Sequence, residues 1–70
     1  MNLTDALQRT SYIIKEIQTD DAEMKNFLFT LGCYIGENIT VISRSKNNCI
    51  ISIKGGRYNI DNQLAKAIII

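Results

Sequence analysis

Seventy residues with a net charge of +1, no histidine, no proline and two cysteines make one small domain. A chain this short buries only roughly 60% of its unfolded surface, which excludes a deep substrate cleft beside a core. An apolar fraction of 46% and a charged fraction of 21% exclude a disordered chain, and the near-neutral balance argues against grip on phosphate backbones by charge alone.

In chain order, Thr4-Asp5-Ala6-Leu7 predicts a turn that pins the N-terminus through Leu3 and Leu7. The start lacks the basic end and apolar run of a signal peptide. No stretch approaches the ~18 apolar residues of a membrane span, so the expected location is the cytoplasm. Tyr12 to Ile17, β-branched and aromatic, predicts the first strand. Isoleucines at 13, 14 and 17 spoil its alternation, as a bulge or burial on both faces would.

A helix should follow. Asp20 and Glu23 have capping-box spacing, and acidic residues suit the positive end of the helix dipole. Met24, Phe27, Leu28 and Leu31 form one apolar stripe, expected to plug one end of the fold. Phe29 lies off that stripe and is expected to face away from the core. Gly32 ends the helix where a left-handed backbone is cheapest, with Cys33 folding back on Leu28. Gly36-Glu37-Asn38 turns the chain into a second strand, Ile39 to Arg44.

Ser45 to Asn48 is a polar loop, and Cys49 to Lys54 a third strand with Cys49, Ile51 and Ile53 on one face. Gly55-Gly56 predicts a two-residue hairpin turn, both positions tolerating positive φ. Tyr58 and Ile60 alternate on a fourth strand, and Asp61 caps a short helical turn through Leu64 and Ala65. Ile68-Ile69-Ile70 closes as a last strand, whose isoleucines leave weak self-association open. About five short strands and an inserted helix predict a mainly-β, partly open barrel, one domain over residues 1–70.

Chemistry is sparse. With no histidine, two separated cysteines and one acidic cluster (Asp20, Asp21, Glu23) already suited to starting a helix, neither a metal site nor a cofactor is expected. No base neighbours Cys33 or Cys49 in sequence, and nothing assembles a nucleophile, a base and an oxyanion site. The chain reads as a non-enzyme, its cysteines as buried, reduced hydrophobes. Residues 1–37 carry Arg9, Lys15 and Lys25 against six carboxylates, whereas residues 38–70 carry Arg44, Lys46, Lys54, Arg57 and Lys66 against Asp61 alone. Arg44, Lys46, Lys54 and Arg57 with Tyr58 make a sparse nucleic-acid-binding pattern. Phe29 and Tyr34, beside one another at the Gly32 corner, either make a small apolar patch suited to docking a protein or pack under the N-terminal segment.

Taken together, Ile14-Lys15-Glu16-Ile17, a short acidic turn, Leu28-x-x-Leu31-Gly32, Ile35-Gly36, Ile39-Thr40-Val41-Ile42 and Tyr58-Asn59-Ile60-Asp61-x-x-Leu64-Ala65-x-x-Ile68 resemble the FeoA family. The resemblance runs from Leu3 to Ile70, and its most specific parts are the "LG-x-x-x-G" corner and the "LA-x-x-I" ending. It implies an SH3-like barrel with a helix after the first strand, in which Gly32 and Gly36 are architectural. It also implies a cytoplasmic, non-catalytic accessory of bacterial ferrous iron uptake, whose partner is the cytosolic part of a GTP-binding membrane permease. Phe29, Tyr34, Arg57 and Tyr58 are the residues expected at that contact. A related SH3-like domain ends iron-dependent transcriptional repressors, which keeps a metal-responsive regulatory domain, like a nucleic-acid-binding barrel, as an alternative. Family members can carry a proline in the corner, where this chain has Tyr34-Ile35.

Overall fold

The run Tyr12–Ile17 is two strands in the computed structural model, which describes residues 1–70. Ser11–Ile13 (β1) pairs antiparallel with Asn38–Arg44 (β3), while Glu16–Ile17 (β2) pairs antiparallel with Ile68–Ile69 (β6). The chain changes sheet between them. Ile14 N–H donates to Glu37 C=O at 2.9 Å, and Lys15 N–H donates to Ile69 C=O at 2.8 Å. That switch, rather than a bulge, accounts for the broken alternation: Ile14 and Ile17 are buried and Ile13 is half exposed.

Asn48–Ile53 (β4) and Gly56–Asp61 (β5) complete a four-stranded sheet of order β1-β3-β4-β5, beside the two-stranded β2-β6. Asn2 bridges Ile69, and Ile70 N–H donates to Met1 C=O at 2.9 Å, so β6 lies between β2 and the N-terminal residues. The two sheets stay open. Their inner faces meet in one core, in which Ile39, Val41, Ile51, Ile53 and Ile60 project from alternate positions of the larger sheet. Ile68 and Ile70 are buried in the same core, and Ile69 between them is half-buried.

The register of β3 slips between Val41 and Ser43. This one-residue bulge resets the alternation, so Arg44 lies opposite buried Cys49 and reaches inward. Its guanidinium donates to Leu3 C=O at 3.2 Å and Ala6 C=O at 2.8 Å, holding the 3₁₀ turn Leu3–Asp5. The N-terminus is therefore pinned through buried Leu3 and Ala6. Leu7, expected to share that job, is 70% exposed. We expect Arg44→Met to cost about 2 kcal/mol, because two carbonyls lose a charged donor. Urea unfolding with an unchanged slope is the measure, and a midpoint equal to wild type would show that water replaces the guanidinium.

Ala22–Leu31 forms the first helix (α1). Its cap is Asp21, not Asp20: the Asp21 carboxylate accepts from Glu23 N–H at 3.0 Å and Met24 N–H at 3.1 Å. Thr19 Oγ1 accepts from Asp21 N–H at 3.1 Å, and this tight turn delays the helix by one residue. Leu28 is fully buried, with Met24, Phe29 and Leu31 packed partly against the core. Phe27 is 48% exposed, so the two phenylalanines exchange their expected roles. Asn62–Ala67 forms the second helix (α2), capped as expected by Asp61, which accepts from Leu64 N–H at 2.9 Å. It packs against β4, β5, β6 and the N-terminal turn, where small Ala65 and Ala67 permit close approach. Both helices therefore pack on the core, α1 through Leu28 and α2 through Ala65 and Ala67.

The hairpin between β4 and β5 closes on the pair Ile53–Gly56, so its two-residue turn is Lys54-Gly55. Both take positive φ, +48° and +79°, as a type I′ turn requires. The expected Gly55-Gly56 turn lies one residue too late. Gly56 is instead a strand residue under the Tyr58 ring, where an added Cβ would sit 2.6 Å from Tyr58 Oη.

Candidate functional site: the helix-end corner

The end of α1 sets the geometry. Gly32 has φ +103°; its N–H donates to Phe29 C=O and Cys33 N–H donates to Leu28 C=O, both at 3.0 Å. This paired bonding is a Schellman-type stop, and it carries Cys33 into the core beside Leu28. The next residues are held by backbone alone: Tyr34 N–H to Gly32 C=O at 2.9 Å, Glu37 N–H to Tyr34 C=O at 3.0 Å, and Gly36 N–H to Ile14 C=O at 2.8 Å. Gly36, also at positive φ, makes the last turn into β3.

That frame lays Tyr34 back over Phe29, with ring centroids 5.4 Å apart and planes 9° from parallel. Phe29 is half-buried from below, while Tyr34 is 49% exposed and Ile35 is 71% exposed. Lys54, from the hairpin turn, completes the group. Its Nζ lies 5.6 Å from the Tyr34 ring centroid and 3.4 Å from Glu37 Oε1. Its aliphatic stem covers Gly32, where an added Cβ would sit 3.0 Å from Lys54 Cδ. The ion pair is half exposed and contributes within about 1 kcal/mol, so it orients the lysine more than it stabilises the fold.

Of the four residues expected at a contact, the structure brings Phe29 and Tyr34 into one stack. Arg57 and Tyr58 point from opposite faces of β5. Tyr58, opposite Ile51, packs on the core side with its phenol over Gly56, whereas Arg57, opposite Ser52, is exposed on the other face. Lys54, Glu37 and Ile35 are members that the sequence pattern does not select. An early hairpin turn is the available signal for Lys54, because it tips the side chain toward the helix end.

Other chemistries find less support in the geometry. Arg44 is engaged with the Leu3 and Ala6 carbonyls and Lys54 with Glu37 and Tyr34, so two of the second-half cations are already held by groups of their own chain. Asp21 is committed to its cap, and no three His, Cys, Asp or Glu side chains group closely enough to hold a metal ion. Both cysteines are free and buried. Burial pushes the Cys33 thiol up to about 11. The Cys49 thiol is also raised by burial, opposed by the Arg44 charge. Neither is a thiolate at neutral pH. The one hollow, of about 130 Å³ near Ser43, Arg44 and Asn59, is smaller than the several hundred Å³ a drug-sized ligand needs. No helix is long and apolar enough to cross a membrane.

The chain is thus a small open β-sheet structure that presents a rigid helix-end corner. The model of the FeoA domain matches residues 1–70, and this chain belongs to the FeoA family, small SH3-like domains associated with ferrous iron transport. No curated protein matches it in sequence. Among solved structures it is similar to Stenotrophomonas maltophilia FeoA complexed with zinc, described as a prokaryotic SH3 domain protein. The TM-score is 0.87 at 19% identity, covering 99% of this chain and 87% of that one. It is similar too to an iron uptake regulatory protein (FeoA), with a TM-score of 0.84 at 24% identity over 94% of this chain and 88% of that one. A manganese-dependent transcriptional repressor matches with a TM-score of 0.88 at 16% identity; 97% of this chain covers 39% of the repressor. At these identities the likeness shows the fold, which is SH3-like and mainly β.

Proposed function

We propose that this chain is a non-catalytic accessory of ferrous iron uptake that works in the cytoplasm by binding the cytosolic, GTP-binding part of a ferrous iron permease. Family membership over residues 1–70 supports the process. The observation that carries the contact is the Phe29–Tyr34 stack with Lys54 on its rim and Ile35 beside it. A rigid aromatic pair with a neighbouring aliphatic side chain, at the end of a helix fixed by backbone bonds, costs little entropy to dock. Tyr58, half-buried on the same hairpin, packs against the core and over Gly56. Arg57, on the opposite face of β5, lies outside this contact.

Calorimetry of the protein with the permease's cytosolic domain tests the reading. Saturable binding is expected, and Tyr34→Glu should weaken it at least tenfold, since a charge replaces an aromatic anchor at an exposed position. Tyr34 is preferred to Phe29 for this test because Phe29 also packs on the core, so its loss would mix folding with binding. No binding by the wild-type protein, or unchanged affinity in a folded Tyr34→Glu variant, would sink the proposal.

A further inference from the structure

β5 is an edge strand with a free side, and its chemistry is self-complementary. Asn62 N–H donates to Asn47 C=O at 3.0 Å, which fixes the phase of the antiparallel β4–β5 ladder: the doubly bonded partners of β4 are Ile60, Tyr58 and Gly56. Arg57 and Asn59 therefore turn their N–H and C=O groups to the free side, and Asp61 turns its N–H there. No backbone or side-chain hydrogen bond meets these groups from elsewhere in the chain. Apart from the charges of Arg57 and Asp61, the strand lacks the usual protections of an edge. The strand is six residues long, contains no proline and has an unbroken register against β4, whereas β1 at the other edge is three residues long.

We infer that the free edge of β5 pairs antiparallel with β5 of a second copy of this chain, about a two-fold axis at Asn59. The phase of the ladder selects this register. With Asn59 opposite Asn59, the outward-facing residues of the two strands meet as doubly bonded pairs, and Arg57 of each copy stands opposite Asp61 of the other. The two Asn59 residues exchange N–H and C=O bonds, and each Asp61 N–H donates to an Arg57 C=O, about four backbone bonds in all. Arg57, Asn59 and Asp61 share the exposed face, so the two Arg57–Asp61 pairs lie side by side with the asparagines. Neither residue has an ion-pair partner within its own chain. Asp61 keeps one carboxylate oxygen for Leu64 N–H and has the other for the arginine. The combined sheet has no exposed β5 edge. This interface is independent of the helix-end corner, so it goes beyond the permease reading and does not rest on it.

A single short strand pair is a small interface, so the association is concentration-dependent, with a dissociation constant of about 0.1–1 mM. Sedimentation equilibrium of the full chain up to about 1 mM, at low and high salt, measures it. The expected result is a monomer–dimer equilibrium that weakens with salt. Arg57→Asp should weaken it roughly tenfold or more, because each ion pair across the axis then becomes two carboxylates facing one another. Asn59→Pro should abolish it while leaving the fold intact, since the N–H it removes points away from β4. Circular dichroism melts matching wild type would confirm that both variants fold. A protein that stays monomeric throughout, or a dimer indifferent to both variants, would overturn the proposal. So would a monomeric protein whose binding to the permease domain is lost in Asn59→Pro, which would assign the edge to that partner.

Discussion

Leu28→Ala is expected to remove about 3 kcal/mol of stability and to release α1 from the sheets. Leu28 is the one residue of α1 with no solvent exposure, and truncating a buried leucine costs about 2–5 kcal/mol in lost transfer energy and residual cavity. The cavity should persist, because the surrounding core is built largely from residues of strands held in hydrogen-bonded ladders. A chain of 70 residues has total stability of only about 4–10 kcal/mol, so the loss is a large share of the whole. Two measurements check it. Urea unfolding should show a midpoint shift of that size, and hydrogen exchange should show amides of α1 opening before those of β3 and β4. A loss below about 1 kcal/mol, with uniform exchange, would mean that α1 is anchored mainly by the half-buried Met24, Phe29 and Leu31.

Gly32→Val should cost about 2 kcal/mol or more, for two separable reasons. At φ +103° any side chain is strained, and a β-branched one most of all. Its Cβ would also sit 3.0 Å from Lys54 Cδ. Lysine is flexible enough to move, so the second effect shows less in stability than at the corner: Nζ leaves the Tyr34 ring and Glu37. Gly32→Asn separates the two, because asparagine tolerates the left-handed region yet carries the same Cβ. We expect Gly32→Val to lower the melting temperature by about 8 °C or more. Gly32→Asn should lower it by less than half of that, while both disturb the Lys54 and Tyr34 side-chain signals. Equal melting temperatures for Gly32→Val and wild type would show that the helix ends elsewhere.

Much of this architecture is legible from residue pattern. The Gly32 stop, the inward row Cys49-Ile51-Ile53, the Asp61 cap and the final strand follow from local chemistry, and local chemistry decides them. The misreadings share a cause: each is settled by contacts that residue pattern does not display. Asp20 and Asp21 are equally good caps, and Thr19 chooses between them. Phe27 and Phe29 are both plausible on a helix face, but Phe29 alone has Tyr34 to stack upon. Gly56 has the look of a turn residue, yet its missing side chain makes room for Tyr58 two positions later. At the candidate site, Phe29 and Tyr34 can be read from their place around a helix stop. Lys54 and Glu37 cannot, because the hairpin reaches the corner only in three dimensions. Arg57 and Tyr58, adjacent in sequence, are grouped wrongly for the simplest of reasons: neighbours on a strand face opposite ways.

The meeting of Met1, Asn2 and Ile70 at β6 orders events during synthesis. The four-stranded sheet draws on residues 11–61 and can pair as soon as β5 leaves the ribosome. The smaller sheet cannot. Both β2 and the N-terminal residues wait for Ile68–Ile70, which follow β5 and α2 in the chain, so the smaller sheet forms only after them. Closing so long a loop is slow relative to hairpin formation. A ribosome stalled between β5 and β6 would therefore display a half-built core with a completed larger sheet, a form open to proteases.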